Sequence, residues 1–218
     1  FLLAIFWKIL GHKLWVSHLL MLPFIIGFFY QLFEFTGYFI QKQRFVFFAF
    51  LLIIADPTVA TSFVLVNPEI IILFFFFLAV NGILKQKNSL KFIGLFFLSI
   101  ITFRSMMLFA GIFIFDILNK RYFHKQKLKA FLNFKFLLFY FLVSLPAFLF
   151  VSWRLATKGW LQTHPASPWV SLWQIASPEI FLKNCVVLIW RYLDFGRIFI
   201  FLFLIISFLI FGKKIFKS

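Results

Sequence analysis

Long apolar runs interrupted by short basic turns dominate the chain, and the runs are long enough to be helices that cross a bilayer. After a short apolar opening, residues 1–7, and a polar patch from Lys8 to Lys13, the pattern predicts a first full span over about 15–35. A turn at 37–44 carries Lys42 and Arg44. Residues 45–55 form an apolar run of only 11, about 16 Å of helix, so this run needs residues up to 66 to cross a hydrocarbon core of about 30 Å. Asp56-Pro57 falls in the middle of that combined segment and predicts a kinked or broken helix, with Asp56 able to cap its second half. Asn67-Pro68-Glu69 then has the grammar of a helix start: a capping residue, proline in the first turn and a carboxylate where the helix dipole favours it.

The helix that opens there runs to about Leu84 and stops at Lys85, Lys87 and Lys91. Residues 92–103 and 105–118 follow as two apolar runs split by Arg104, and length alone allows one tilted helix or a hairpin of two short ones. Basic residues decide. Lys85, Lys87 and Lys91 precede the pair, and Lys120, Arg121, Lys125, Lys127, Lys129 and Lys135 follow it, so the positive-inside rule puts both flanks on the cytoplasmic side. An even number of crossings lies between them, which makes a hairpin with Arg104 at its outer turn. Residues 136–151 cross outward, 153–194 form a less apolar outer loop, and 195–211 return to a basic tail of Lys213, Lys214 and Lys217. Ser177-Pro178-Glu179 repeats the helix-start pattern inside that loop. The helix it opens has a polar stripe of Lys183, Asn184, Arg191 and Asp194, which suits a position in the membrane interface.

The expected fold is therefore all-α: a polytopic membrane helical bundle with about seven spanning segments, an outer interfacial helix and a cytoplasmic C-terminus, forming a single transmembrane domain over residues 1–218. All seven tryptophans fall on the outer side of this scheme. Composition agrees with a bilayer. Apolar residues make up 64% of the chain, mean hydropathy is +1.04 and 13% of residues are charged, against roughly 45–50% apolar and about 25% charged in soluble domains. The net charge of +16 is accordingly read as topology rather than as nucleic-acid binding. Cys185 is the single cysteine, which excludes an internal disulfide framework. Forty phenylalanines are read as lipid-facing filler, and the opening at Phe1, inside an apolar run, as the start of a fragment.

Charge in or beside hydrocarbon is costly, so Asp56, Glu69 and Arg104 are the first functional candidates among a chain with 6 acidic residues. Each also has a plain structural role open to it. Asp56 can be an N-cap, Glu69 can compensate a helix dipole as Glu179 does, and Arg104 can snorkel to headgroups. Asp116 stands four residues before Lys120 and reads as one half of a local ion pair. His12, His18, His124 and His164 show no metal-ligand spacing, and no phosphate loop, nucleophile elbow or zinc motif is present, so no cofactor and no metal-ligating residue is predicted, while dependence on a divalent metal stays open. His164 lies in the tryptophan-rich outer loop, where a sugar could stack or bond.

In this order, an amphipathic start ending in Leu10-Gly11-His12-Lys13, the Asp56-Pro57 segment, Asn67-Pro68-Glu69 opening a span and Arg104 at a hairpin turn, the chain resembles a family. That family is the type C fold of integral membrane glycosyltransferases that take sugars from polyprenyl-phosphate carriers, the relatives of protein O-mannosyltransferases and the lipid A aminoarabinose transferase. The resemblance implies a cytoplasmic-membrane enzyme that moves a sugar to a lipid, glycan or protein acceptor on the outer face. It implies a principal carboxylate in an outer loop ahead of Phe1, a second acidic position at Glu69 where the family usually has Asp, and Arg104 on the carrier phosphate. Asp56, Glu69, Arg104 and His164 are the residues expected to line the substrate site. A transporter or flippase of lipid-linked saccharides, and a non-catalytic membrane subunit, are the alternatives.

Overall fold

The computed structural model describes residues 2–64, 66–125, 133–159 and 177–193, with 198, 201–202 and 205–206. Among these residues all regular structure is helical: α1 (Leu2–Leu10), α2 (Leu14–Phe39), α3 (Gln43–Ile54), α4 (Pro57–Val64), α5 (Glu69–Leu84), α6 (Asn88–Ile101), α7 (Phe103–Leu118), α8 (Phe134–Lys158) and α9 (Pro178–Leu193). A π-helical turn, Asn119–Phe123, extends α7. The chain divides into two compact units, residues 1–162 and 163–218. Most of the last predicted span, and His164, lie outside the described residues.

In the first unit α5 and α6 form the centre. Ala79, Leu95 and Leu98 are fully buried there, and two glycines let the helix backbones nearly touch. A Cβ added at Gly94 would fall 2.6 Å from the Ala79 backbone nitrogen, and one at Gly82 would fall on the Lys91 backbone. Phe75 and Phe97 stack at 4.5 Å along the same seam. Residues 82, 79 and 75 thus meet 91, 94 and 97 in turn, an antiparallel pair packed through small residues, as is common where apolar solvent gives helices no other reason to associate.

The predicted hairpin at Arg104 is present. Thr102, with φ −154° and ψ 166°, is the single extended residue between α6 and α7, and its hydroxyl accepts from the Ser105 amide while Ser105 Oγ accepts from the Thr102 amide. This reciprocal cap stops one helix and starts the next without a loop. Lys91 near the start of α6 then meets Asp116 near the end of α7 at 3.0 Å, whereas a continuous helix would hold them about 38 Å apart. Ring contacts of Phe113 with Phe136 and of Phe103 with Phe150 run α8 antiparallel to α7. By contrast α2 lies parallel to α5, because Phe24 packs on Phe74, Gln31 on Asn81 and Glu34 on Lys85.

The break at Asp56-Pro57 is sharper than a kink. Phe50 on α3 and Phe63 on α4 lie 5.9 and 4.9 Å from the same ring, Phe29 of α2, although a straight helix would separate them by about 20 Å. The segment 45–66 is therefore a folded pair of short helices, which together bring the chain back from the end of α2 to the start of α5. Among the described residues two helices, α2 and α8, are long and apolar enough to cross a membrane. Each contains a proline, Pro23 and Pro146, which neighbouring helices can accommodate in an apolar medium. Many of their large apolar side chains, Leu19, Ile26, Phe141, Leu142, Phe148 and Leu149 among them, are exposed.

Of the second unit, α9 is described by itself. It starts as predicted, with the Phe181 amide donating to Ser177 O at 2.8 Å and the Ile180 amide donating to Ser177 Oγ at 3.4 Å. Its described side chains are exposed except Cys185, which is half-buried.

Candidate functional site

Two polar clusters stand at opposite ends of the α5–α7 core, one helix length of about 24 Å apart. At the end where α5 begins, the Asn67 side chain accepts from the Glu69 amide at 3.1 Å and the Ile72 amide donates to Pro68 O at 2.9 Å, so the predicted helix start forms. Arg104 sits in the first turn of α7, where the positive end of the helix dipole disfavours a cation. Glu69 compensates: Arg104 Nη1 lies 3.2 Å from Glu69 Oε1, across 35 residues of sequence. The arginine side chain is 82% exposed, so the pair is worth only about 0–1 kcal/mol and can be opened by a competing anion.

From the level of Arg104 an apolar groove of about 430 Å³ runs between α7 and α8. Met106, Phe109, Ala110 and Phe113 line one side, and Tyr140, Phe148 and Val151 the other. Asp56 stands at the α3–α4 break, half-buried, with its carbonyl accepting from the Ala60 amide at 2.9 Å. Thus two of the four expected site residues, Glu69 and Arg104, are in contact, and Asp56 marks a separate feature of the fold.

At the opposite end the predicted Asp116–Lys120 ion pair forms, and the structure adds further partners to it. Lys120 Nζ stands 3.8 Å from Asp116 Oδ1. Asp116 is 1% exposed, and its Oδ2 accepts from Lys91 Nζ at 3.0 Å and from the Tyr140 hydroxyl at 2.8 Å. Lys91, 7% exposed, also lies over the Phe139 ring at 4.5 Å, and Lys120 over Phe136 at 4.2 Å. Two donors on one carboxylate oxygen, with aromatic faces around the ammonium groups, offset part of the cost of burying these charges. In the turn beyond α7, burial lowers the Lys120 pKa below the ordinary lysine value, an effect that Asp116 opposes and Lys91 adds to.

Sequence reasoning missed Lys91 and Tyr140 because their pairing with Asp116 spans 25 and 24 residues. The signal available was Asp116 itself, an acid at the end of an apolar helix, which the nearby Lys120 made look ordinary. Further polar contacts gather at the same end. Glu34 pairs with Lys85, and buried Asn81 donates at 2.8 Å both to the Gln31 carbonyl and to its side-chain oxygen. Among the described residues, no three His, Cys, Asp or Glu side chains come together in a way that could hold a metal.

Compared with known protein families, with curated proteins and with solved structures, the chain matches none.

Proposed function

We propose that this chain belongs to the membrane core of a glycosyltransferase that takes a sugar from a polyprenyl-phosphate donor on the outer face of the cytoplasmic membrane. The observation that supports it is the exposed Arg104–Glu69 pair in the first turn of α7, the helix whose later turns line the apolar groove with α8. A polyprenyl phosphate has this division of chemistry: an anionic head for an exposed guanidinium and an apolar chain for an apolar groove. On binding, the donor phosphate takes the guanidinium from Glu69, and the freed carboxylate turns toward the sugar or the acceptor. The acceptor hydroxyl attacks the anomeric carbon with inversion, a carboxylate base accepts its proton, and the carbon–oxygen bond to phosphate breaks. Arg104 stabilises the phosphate that leaves. Asp56 and His164 remain proposed contacts for sugar or acceptor, and the seven-span topology with a cytoplasmic C-terminus belongs to the same reading.

Support for the bilayer comes from α2 and α8 and from the apolar side chains they leave exposed, which water would penalise. The test is Arg104→Ala in the full-length protein. Loss of one charge-assisted contact weakens donor binding by about tenfold to a hundredfold. Unchanged donor affinity removes Arg104 from the site and the reading with it.

A transporter or flippase of lipid-linked saccharides is the second reading, favoured by the sharp α3–α4 break and by the buried Lys91–Asp116 pair inside the bundle. Movement of the donor across liposomes without release of its sugar selects it. Neutral Asp56 and Glu69 substitutions in both assays select a non-catalytic subunit.

A further inference from the structure

At the end of the core away from Arg104, a pocket of about 210 Å³ opens between the turn after α5 and the π-helical turn after α7. Gln86 and Asn88 line it from the first turn, Asn119, Lys120 and His124 from the second, and Lys91 forms its wall. We propose that this pocket binds a phosphate group, presented by a small anion or by the headgroup of a lipid in the adjacent leaflet. The site is distinct from the donor site above and does not depend on that reading.

Three independent observations converge on it. The first is an orphan. Asn119 is 2% exposed and its Oδ1 has no hydrogen-bond partner, a costly state for a buried amide. Oxygen and nitrogen of such an amide exchange by a half-turn, so it can present an N–H to an anion or accept from a protonated phosphate oxygen. The second is charge. Two ammonium groups, Lys91 and Lys120, stand on the pocket lining beside Asp116, and burial disfavours the charge on Lys120.

The third is backbone conformation at Gln86. The Lys87 amide donates to Gly82 O at 2.8 Å and the Gln86 amide to Ile83 O at 3.1 Å, which is the helix stop that normally has glycine in its left-handed position. Gln86 occupies that position with φ +54°. A left-handed glutamine is strained, and strain of this kind points to a use for the side chain. Gln86 Nε2 lies 3.2 Å from His124 Nε2, and both line the pocket. An ammonium and several amide and imidazole donors arranged around one space suit a tetrahedral anion, which offers an oxygen in each direction, better than a planar carboxylate with two.

The test uses the purified full chain in phosphate-free buffer, read by thermal unfolding. One arm adds millimolar inorganic phosphate against chloride at equal ionic strength. The other compares nanodiscs of phosphatidylcholine with nanodiscs that also contain phosphatidic acid. Phosphate or phosphatidic acid raises the unfolding temperature of the parent chain by mass action. Lys120→Gln abolishes the rise. Gln86→Gly unfolds at a higher temperature than the parent without the anion, because its strain is gone, yet gains less from it, which separates binding from folding. A rise with both probes identifies a pocket open to free phosphate, and a rise with phosphatidic acid alone identifies a lipid headgroup. No rise with either probe, or equal rises in the parent and both variants, overturns the proposal.

Discussion

Asp116 shows how a charge is kept inside an apolar bundle. Its carboxylate is stabilised by Lys91 and Tyr140 from two other helices, so removing it strands a buried ammonium. Asp116→Ala is expected to destabilise the chain by about 3–5 kcal/mol, whereas Lys91→Met combined with Asp116→Leu recovers most of that loss, because well-packed apolar groups replace both charges together. Equilibrium unfolding of the two single variants and the double variant measures this. If the losses simply add, the pair is not coupled. Only the Asp116–Lys120 pair was legible along the chain. Lys91 has the appearance of a topology charge beside Lys85 and Lys87, and Tyr140 is one aromatic in a run of them. Arg104 and Glu69 were legible as isolated oddities, but their contact depends on two helix starts being brought side by side, which no local pattern encodes.

Elements were more readable than contacts. Helix starts at Asn67 and Ser177 follow from capping chemistry that needs only neighbouring residues, and both form. The α6–α7 hairpin was legible because charge on both flanks excludes a single crossing, and Thr102 and Ser105 supply its turn. What the pattern did not convey is the angle at Asp56-Pro57. Proline announces a break, but the packing of Phe50 and Phe63 on Phe29 sets its sharpness. The closeness of α5 to α6 was equally hidden, since glycine in an apolar run has several explanations. Gly94→Ala puts a methyl against the Ala79 backbone, where no rotamer change relieves it. Destabilisation of about 1–3 kcal/mol or more is expected, with Gly111→Ala, where a Cβ meets nothing within 4 Å, as the neutral control. Equal effects of the two substitutions in detergent unfolding argue against a close α5–α6 seam.

For the molecule as a whole, the donor reading joins the groove between α7 and α8 to the exposed Arg104–Glu69 pair at the start of α7. Ala110→Trp fills the groove without altering Arg104. Under the glycosyltransferase reading it weakens a long-chain polyprenyl phosphate by about tenfold or more, while an analogue with a short chain binds as before, since each buried methylene contributes about 0.8 kcal/mol. Equal loss for both analogues assigns the groove no part in donor binding. The one-residue turn at Thr102 has a further consequence, for biogenesis. Helices of 14 and 16 residues are too short to settle stably across a bilayer one at a time, and the second opens with an arginine. Under the proposed seven-span topology they leave the insertion machinery together, already folded back on each other, so that on this reading a substitution that unmakes the Thr102–Ser105 turn acts first as a failure of membrane insertion and only afterwards as a loss of stability.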